Sequence, residues 1–152
     1  MRKIKIKKYF LYDELFELLK NELKNSFDVV IHAAAVSDYQ LEKPFKTKVA
    51  SNLNRLKINL LPTQKIIYSI KKRNPQTFLV GFKLESSMTK LKAMNQTNGL
   101  LSKANCDLVV ANSLLNNNYH GFIIGRDNQI LMERRSRQGL SKALVQTIKE
   151  QL

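Results

Sequence analysis

Apolar and cationic residues alternate at the start of the chain, Arg2-Lys3-Ile4-Lys5-Ile6-Lys7, and this period of two predicts a short strand over residues 2–7 with Ile4 and Ile6 on one face. From Tyr12 to Lys24 the spacing becomes helical: Leu15, Leu18, Leu19 and Leu23 form one stripe, and Asp13 and Glu14 sit at the positive end of the helix dipole. Asp28–Ala34 is then a continuous apolar run closing in small residues, as in a parallel strand covered on both faces. The first part of the chain therefore reads as β-α-β.

Polar residues and Pro44 dominate Gln40–Asn54, which predicts an excursion at about 40–60, a protruding β-flap with short strands at Lys46–Ser51 and Arg55–Leu60 around Asn52-Leu53-Asn54. Pro62-Thr63 opens a helix that ends near Arg73, before Pro75, with Ile66, Ile67 and Ile70 on its apolar face. Phe78–Phe82 and Asp107–Asn112 repeat the buried-strand pattern. Between them a helix over roughly Thr89–Lys103 is interrupted on paper by Asn98-Gly99. Phe122–Ile124 and Gln129–Glu133 read as an edge hairpin, and Ser141–Gln151 as a closing helix with Leu144, Val145 and Ile148 inward. The fold class that follows is α/β: a Rossmann-like, mostly parallel sheet with helices on both faces and a protruding β-flap, in one domain over residues 1–152.

Composition fits this picture and narrows it. With 152 residues, 43% hydrophobic and 25% charged, the chain matches one globular unit with a core. A single cysteine, Cys106, cannot form an internal disulfide, and it points to a reducing, cytoplasmic setting with Cys106 as core filler. No stretch approaches the ~18 apolar residues of a membrane span, and the first residues lack the apolar core of a signal peptide, so no membrane partner is expected. The formal net charge of +14 asks for a phosphate-bearing partner. No helix-turn-helix or RNP-like module accompanies it, so nucleic acid is not the expected partner. Lys71, Lys72 and Arg73 read as the solvated face of a helix.

Candidate chemistry gathers at the strand ends. In Val29–Tyr39 an apolar strand gives way to Ala33-Ala34-Ala35 and then presents Asp38 and Tyr39, leaving room for a ring or sugar beside the backbone. Gly81 again permits close approach at the end of Phe78–Phe82. Read singly, Asp38 is a turn residue, Lys48 a solvated flap lysine, Lys65 a surface residue and Phe82 core packing. His32 reads as a core or near-site histidine, since His120 is its only companion and no metal-ligand spacing exists.

In combination these segments resemble phosphopantothenoylcysteine synthetase, the phosphopantothenate–cysteine ligase of coenzyme A biosynthesis, in its free-standing bacterial form. The residues that carry the resemblance are Ala33–Tyr39, Thr47–Ser51, Pro62–Ile67, Val80–Glu85 and Asp107–Asn112, in this order. The resemblance implies a ligation in which CTP, or alternatively ATP, with Mg2+ activates 4'-phosphopantothenate as an acyl-nucleotidylate that cysteine then attacks. It implies a catalytic, triphosphate-contacting role for Lys48, and nucleotide contacts from Ala33, Ala34, Asp38, Gln64, Lys65, Ile66, Ile67, Phe82 and Lys103. It further implies a homodimer built through the flap, or an assembly with a complementary N-terminal chain. Two departures stand out. The family's Gly-rich first turn and following Asn-x-Ser-Ser-Gly segment have no counterpart here, where Gly81, Gly99, Gly121, Gly125 and Gly139 are all isolated. Gly99 or Leu100 stands where a further site lysine is expected. A non-catalytic nucleotide- or partner-binding descendant is the alternative reading.

Overall fold

The computed structural model describes residues 4–152. Its elements in chain order are α1 (Tyr12–Glu22), β1 (Val29–His32), β2 (Tyr39–Leu41), β3 (Leu60–Pro62), α2 (Ile67–Arg73), β4 (Phe78–Glu85), α3 (Lys90–Lys103), β5 (Leu108–Leu115), β6 (Asn118–Gly125), β7 (Ile130–Arg134) and α4 (Arg137–Gln151). Five strands form one sheet in the order β1-β4-β5-β6-β7. The pairs β1–β4 and β4–β5 are parallel, and β5–β6 and β6–β7 are antiparallel. The predicted α/β class holds, with the parallel half carrying the mouth of the sheet.

Strand periodicity sorts the core into two layers. On one face Leu79, Val109, Ala111, Phe122 and Ile124 pack with Ile67 and Ile70 of α2 and Ala93 and Leu101 of α3. On the other, Val80, Leu108, Val110 and Ile123 pack with Leu140, Leu144 and Ile148 of α4. Successive residues of β4 and β5 thus feed opposite faces, which is why their sequences read as unbroken apolar runs. Gly81 lies at a tight point of this packing. A β-carbon there would stand 3.0 Å from Cys106 Sγ and 3.2 Å from Ile67 Cδ1. Gly81→Ala is expected to destabilise the fold by about 1–3 kcal/mol, the usual range for overpacking, read as a lower urea midpoint at unchanged slope.

Several boundaries differ from the sequence expectation. Of the predicted strand at 2–7, residues 2 and 3 lie outside the described residues and residues 4–7 are not a strand; Ile4 and Ile6 face solvent. β1 is a four-residue strand paired only with β4 among the described residues, so its other edge is open and Ile31 is half exposed. The flap is fastened at its base by β2 pairing with β3, and the strands predicted at Lys46–Ser51 and Arg55–Leu60 do not form. α3 runs unbroken through Asn98-Gly99, because its buried Ala93, Thr97 and Leu101 hold it on the sheet. α4 begins at Arg137, four residues before the predicted start, with the Ser136 hydroxyl capping Gly139 N–H at 3.1 Å. β5 and β6 extend to meet at Asn116-Asn117, both at positive φ (47° and 61°), the backbone of a two-residue hairpin.

Candidate functional site

The parallel strands β1 and β4 end at a cleft of about 430 Å³. One wall is the chain leaving β1, from Ala34 through Asp38; another is Thr63–Tyr68, leading into α2; β4 contributes Phe82–Leu84, and α3 contributes Gln96, Gly99 and Leu100. The walls are tied together by the backbone. Thr63 N–H donates to Asp38 O at 2.9 Å, and the Thr63 hydroxyl donates to Ser37 O. From α1, the Tyr12 hydroxyl donates to Gln64 O at 2.7 Å and fixes the outer lip.

At the mouth Lys65 Nζ bonds Asp38 Oδ1. Both side chains remain largely accessible to solvent. The Lys65 ammonium, bonded to Asp38, holds that carboxyl below its ordinary value, with Lys83 adding a smaller effect. Inside, His32 presents a buried Nε2 with no hydrogen-bond partner. Burial holds His32 below the ordinary histidine value, so the ring is neutral at physiological pH. Cys106, in the core layer shared with α2 and α3, is fully buried, and burial pushes its thiol up to about 12, which makes it a core side chain rather than a nucleophile.

The depressed value of His32 has a stability consequence. As pH falls below about 6.5, the unfolded chain takes up a proton that the folded ring resists, so folding stability declines toward the lower folded value. The carboxylates held down by their partners, such as Asp38 and Glu133, act in a more acidic window. His32→Leu is expected to flatten the wild-type decline between about pH 6.5 and 5. Urea midpoints of the two proteins across that interval, compared as a difference, check this.

Of the residues singled out in the sequence, Ala34, Asp38, Gln64, Lys65, Ile66, Ile67 and Phe82 line this cleft. Ala33 is exposed beside it and is not part of the lining. Lys48 is exposed on the irregular flap and lies outside the lining of its own chain's cleft, as does Lys103 at the end of α3. Gln64 and Lys65 form an irregular segment and Ile66 caps α2, so the helix starts at Ile67 rather than at Pro62-Thr63. Phe82 also packs with the α4-side core, so it has a structural role alongside its place in the cleft. Sequence reasoning missed Gln96, Thr63 and Tyr68 as cleft residues and Tyr12 as the lip fastener. Thr63 lies inside the Pro62–Ile67 segment without having been singled out there, and Gln96, Tyr68 and Tyr12 lie in no motif that marks them.

Among the described residues no three His, Cys, Asp or Glu side chains cluster as a metal site, and no helix is long and apolar enough to cross a membrane. The flap is strongly basic: over residues 42–59 it carries Lys43, Lys46, Lys48, Arg55 and Lys57 against the lone acid Glu42. It also leaves Phe45, Leu53, Leu56 and Ile58 about half exposed.

Comparison with known proteins matches residues 3–152 to the family described as DNA/pantothenate metabolism flavoprotein C-terminal domain. The coenzyme A biosynthesis bifunctional protein CoaBC of Thermococcus kodakarensis is 33% identical over 144 residues, which covers 92% of this chain and 36% of that protein. This chain therefore spans about a third of the relative's length. Among solved structures, the DNA/pantothenate metabolism flavoprotein of Streptococcus pneumoniae superimposes with a TM-score of 0.78 at 21% identity, covering 92% of this chain and 70% of that one. The C-terminal domain of a CoaBC superimposes with a TM-score of 0.68 at 19% identity, covering 91% of this chain and 61% of that one. The mixed sheet with its helices is thus a fold shared with these flavoprotein-family structures.

Proposed function

Because this chain belongs to the DNA/pantothenate metabolism flavoprotein C-terminal domain family, we propose that it carries the nucleotide-binding part of a phosphopantothenate–cysteine ligase of coenzyme A biosynthesis. The observation that carries the reading is the cleft at the ends of β1 and β4, where Ala34, Asp38, Gln64–Ile67 and Phe82 converge from three segments distant in sequence. Open α/β sheets bind ligands at the carboxyl ends of their strands, and the volume suits a nucleotide.

The reaction has two steps. A carboxylate oxygen of 4'-phosphopantothenate attacks the α-phosphorus of CTP or ATP, and pyrophosphate leaves with the electrons of the broken P–O bond. The amine of cysteine then attacks the acyl carbon, and the nucleoside monophosphate leaves as the amide forms. In the first step two anions must approach one another, and positioned cations lower that barrier. Two lysines line the cleft, Lys65 paired with Asp38 at the mouth and Lys83 on β4. Asp38 holds Lys65 in place and orients it toward incoming phosphates, at the cost of neutralising it until a ligand competes. Mg2+ fits as an ion carried on the triphosphate, since Asp38 is the sole carboxylate of the cleft wall among the described residues and Mg2+ needs few protein ligands beside phosphate oxygens.

Two further parts belong to this reading. The basic flap with its half-exposed apolar side chains is suited to pack on a second copy and bring Lys48 to that copy's cleft. The open edge of β1 is suited to a further parallel strand bearing a glycine-rich phosphate-binding turn, which the isolated glycines of residues 1–152 do not supply.

The test mixes the chain with 4'-phosphopantothenate, cysteine, Mg2+ and either CTP or ATP, with and without an N-terminal fragment bearing the glycine-rich turn. Pyrophosphate release in the presence of the fragment, dependent on cysteine for amide product, is the expected result. Silence in every mixture, with no nucleotide binding, would overturn the ligase reading in favour of a non-catalytic descendant.

A further inference from the structure

Three of the chain's seven arginines fall within four residues, Arg134-Arg135-Ser136-Arg137, where β7 ends and α4 begins. For the fold alone this is a poor arrangement. Arg137 is the first residue of α4, where the positive end of the helix dipole opposes a cation, and the first turn holds no acid to offset it. Glu133 nearby is already shared by His120 Nε2 at 2.8 Å, Lys90 Nζ at 3.3 Å and the Arg135 guanidinium at 3.3 Å. Arg137 is left with no acid partner among the described residues, and its guanidinium stands over the Tyr119 ring, 5.9 Å from the centroid. Both arginines line a cavity of about 570 Å³ between the turn of the β5–β6 hairpin and the start of α4. We propose that this cavity is a binding site for a small phosphomonoester, in which the guanidinium groups of Arg135 and Arg137 hold the phosphate and Leu114 receives the organic part.

The wall of this cavity shares no residue with the cleft at the ends of β1 and β4, so it is no extension of the nucleotide site. It contains no Asp or Glu, and its polar groups can donate. Asn117 and Asn118 bring side-chain amides from the hairpin. The Ser136 oxygen accepts from Gly139 N–H at 3.1 Å, which leaves its own proton to give. Arginine suits phosphate better than lysine does, since a guanidinium fork bonds two oxygens at once. Stacking on Tyr119 orders the Arg137 guanidinium before a ligand arrives and so lowers the cost of binding. Leu114 lies on the same wall and is 42% exposed, apolar surface that a bare phosphate ion would leave in water and an ester would cover.

Phenyl phosphate, inorganic phosphate and benzyl alcohol, each titrated at constant ionic strength into isotope-labelled protein and followed by amide NMR, test this. The proteins are wild type, Arg137→Gln, the double variant Arg135→Gln with Arg137→Gln, and Lys65→Met. Phenyl phosphate is expected to shift the amides of Asn118, Ser136 and Gln138 saturably, with the same Kd in wild type and Lys65→Met. Inorganic phosphate is expected to move the same amides with lower affinity, and benzyl alcohol to leave them in place. Arg137→Gln is expected to weaken phenyl phosphate about tenfold, the scale of one charge-assisted contact, and the double variant to weaken it further. Arg137→Gln removes a cation from the positive end of α4, so Tm should not fall and lost binding is separated from lost fold. An affinity in the double variant within threefold of wild type would overturn the proposal, as would the absence of a saturable shift at these amides. Shifts abolished by Lys65→Met would place the phosphate in the cleft and overturn it as well. Equal affinity for inorganic and phenyl phosphate would remove the role of Leu114, and equal shifts with benzyl alcohol would remove that of the arginines; either result overturns the phosphomonoester site.

Discussion

Asp107→Ala is expected to cost the fold about 3–5 kcal/mol, the range found when one partner of a buried ion pair is removed. Asp107 stands just ahead of β5, at the end of the sheet opposite the cleft, and three groups depend on it. Lys71 of α2 approaches its Oδ2 at 2.7 Å, the Arg126 guanidinium bonds its Oδ1, and the backbone N–H of Leu79 donates to Oδ2 at 2.7 Å. The Lys71 side chain is only 9% exposed. Without the carboxylate its ammonium has neither water nor a counter-charge, and the N–H of fully buried Leu79 loses its acceptor as well. Arg126, far more exposed, swings into solvent at little cost. Two further variants separate these contributions. Asp107→Asn keeps an acceptor for Leu79 and is expected to cost less than alanine. Lys71→Met combined with Asp107→Ala removes the stranded charge, and a double-mutant cycle is expected to show positive coupling, so that the pair of changes costs less than their sum. Urea unfolding of wild type, the three single variants and the double variant supplies the numbers. An Asp107→Ala cost below about 1 kcal/mol would mean that Lys71 finds water by rotating out, as exposed pairs do.

The same residues mark where the sequence was readable and where it was not. Interior strands announce themselves because helices cover both their faces, so β4 and β5 leave the period-two pattern and become apolar runs. The cleft was legible for a related reason: small residues and a carboxylate after β1, and glycine within β4, are what a strand needs when its mouth must stay open. Lys71 was not legible. In sequence it is one of three consecutive cations on a helix and reads as solvated, and only the fold brings Asp107 under it. The hairpin at Asn116-Asn117 was hidden too, since a run of asparagines looks like loop unless two of them take up left-handed backbone, as these do. Residues 4–7 show the opposite failure. Their alternation is that of a strand, yet a strand needs a neighbour, and among the described residues none lies beside them. Local pattern states a capacity; pairing decides whether it is used.

Within the proposed ligase, Lys65→Met is expected to lower kcat/KM for pyrophosphate release about 100–1,000-fold, the loss typical when one positioned group that stabilises developing charge is deleted. The bond to Asp38 sets how this ammonium is used. In the ligand-free cleft Lys65 is already neutralised, and a triphosphate binds by displacing one charge-assisted bond with another. That exchange restrains ground-state affinity while leaving the ammonium free to follow charge as pyrophosphate departs, which is the condition for spending binding energy in the transition state. Asp38→Asn tests the idea from the other side. With its partner neutral, Lys65 should hold phosphates more tightly before reaction, so pyrophosphate and triphosphate affinity is expected to rise several-fold while kcat falls. The two substitutions therefore separate in sign on binding and agree in sign on turnover, a pattern that simple loss of structure cannot produce. Both side chains are largely exposed, so neither change is expected to move Tm appreciably. Weaker phosphate binding in Asp38→Asn would make the carboxylate a direct ligand of the nucleotide or its Mg2+ rather than the restraint on Lys65. Unchanged turnover in Lys65→Met would move the charge-stabilising role to Lys83 of the cleft wall or to Lys48 of the flap.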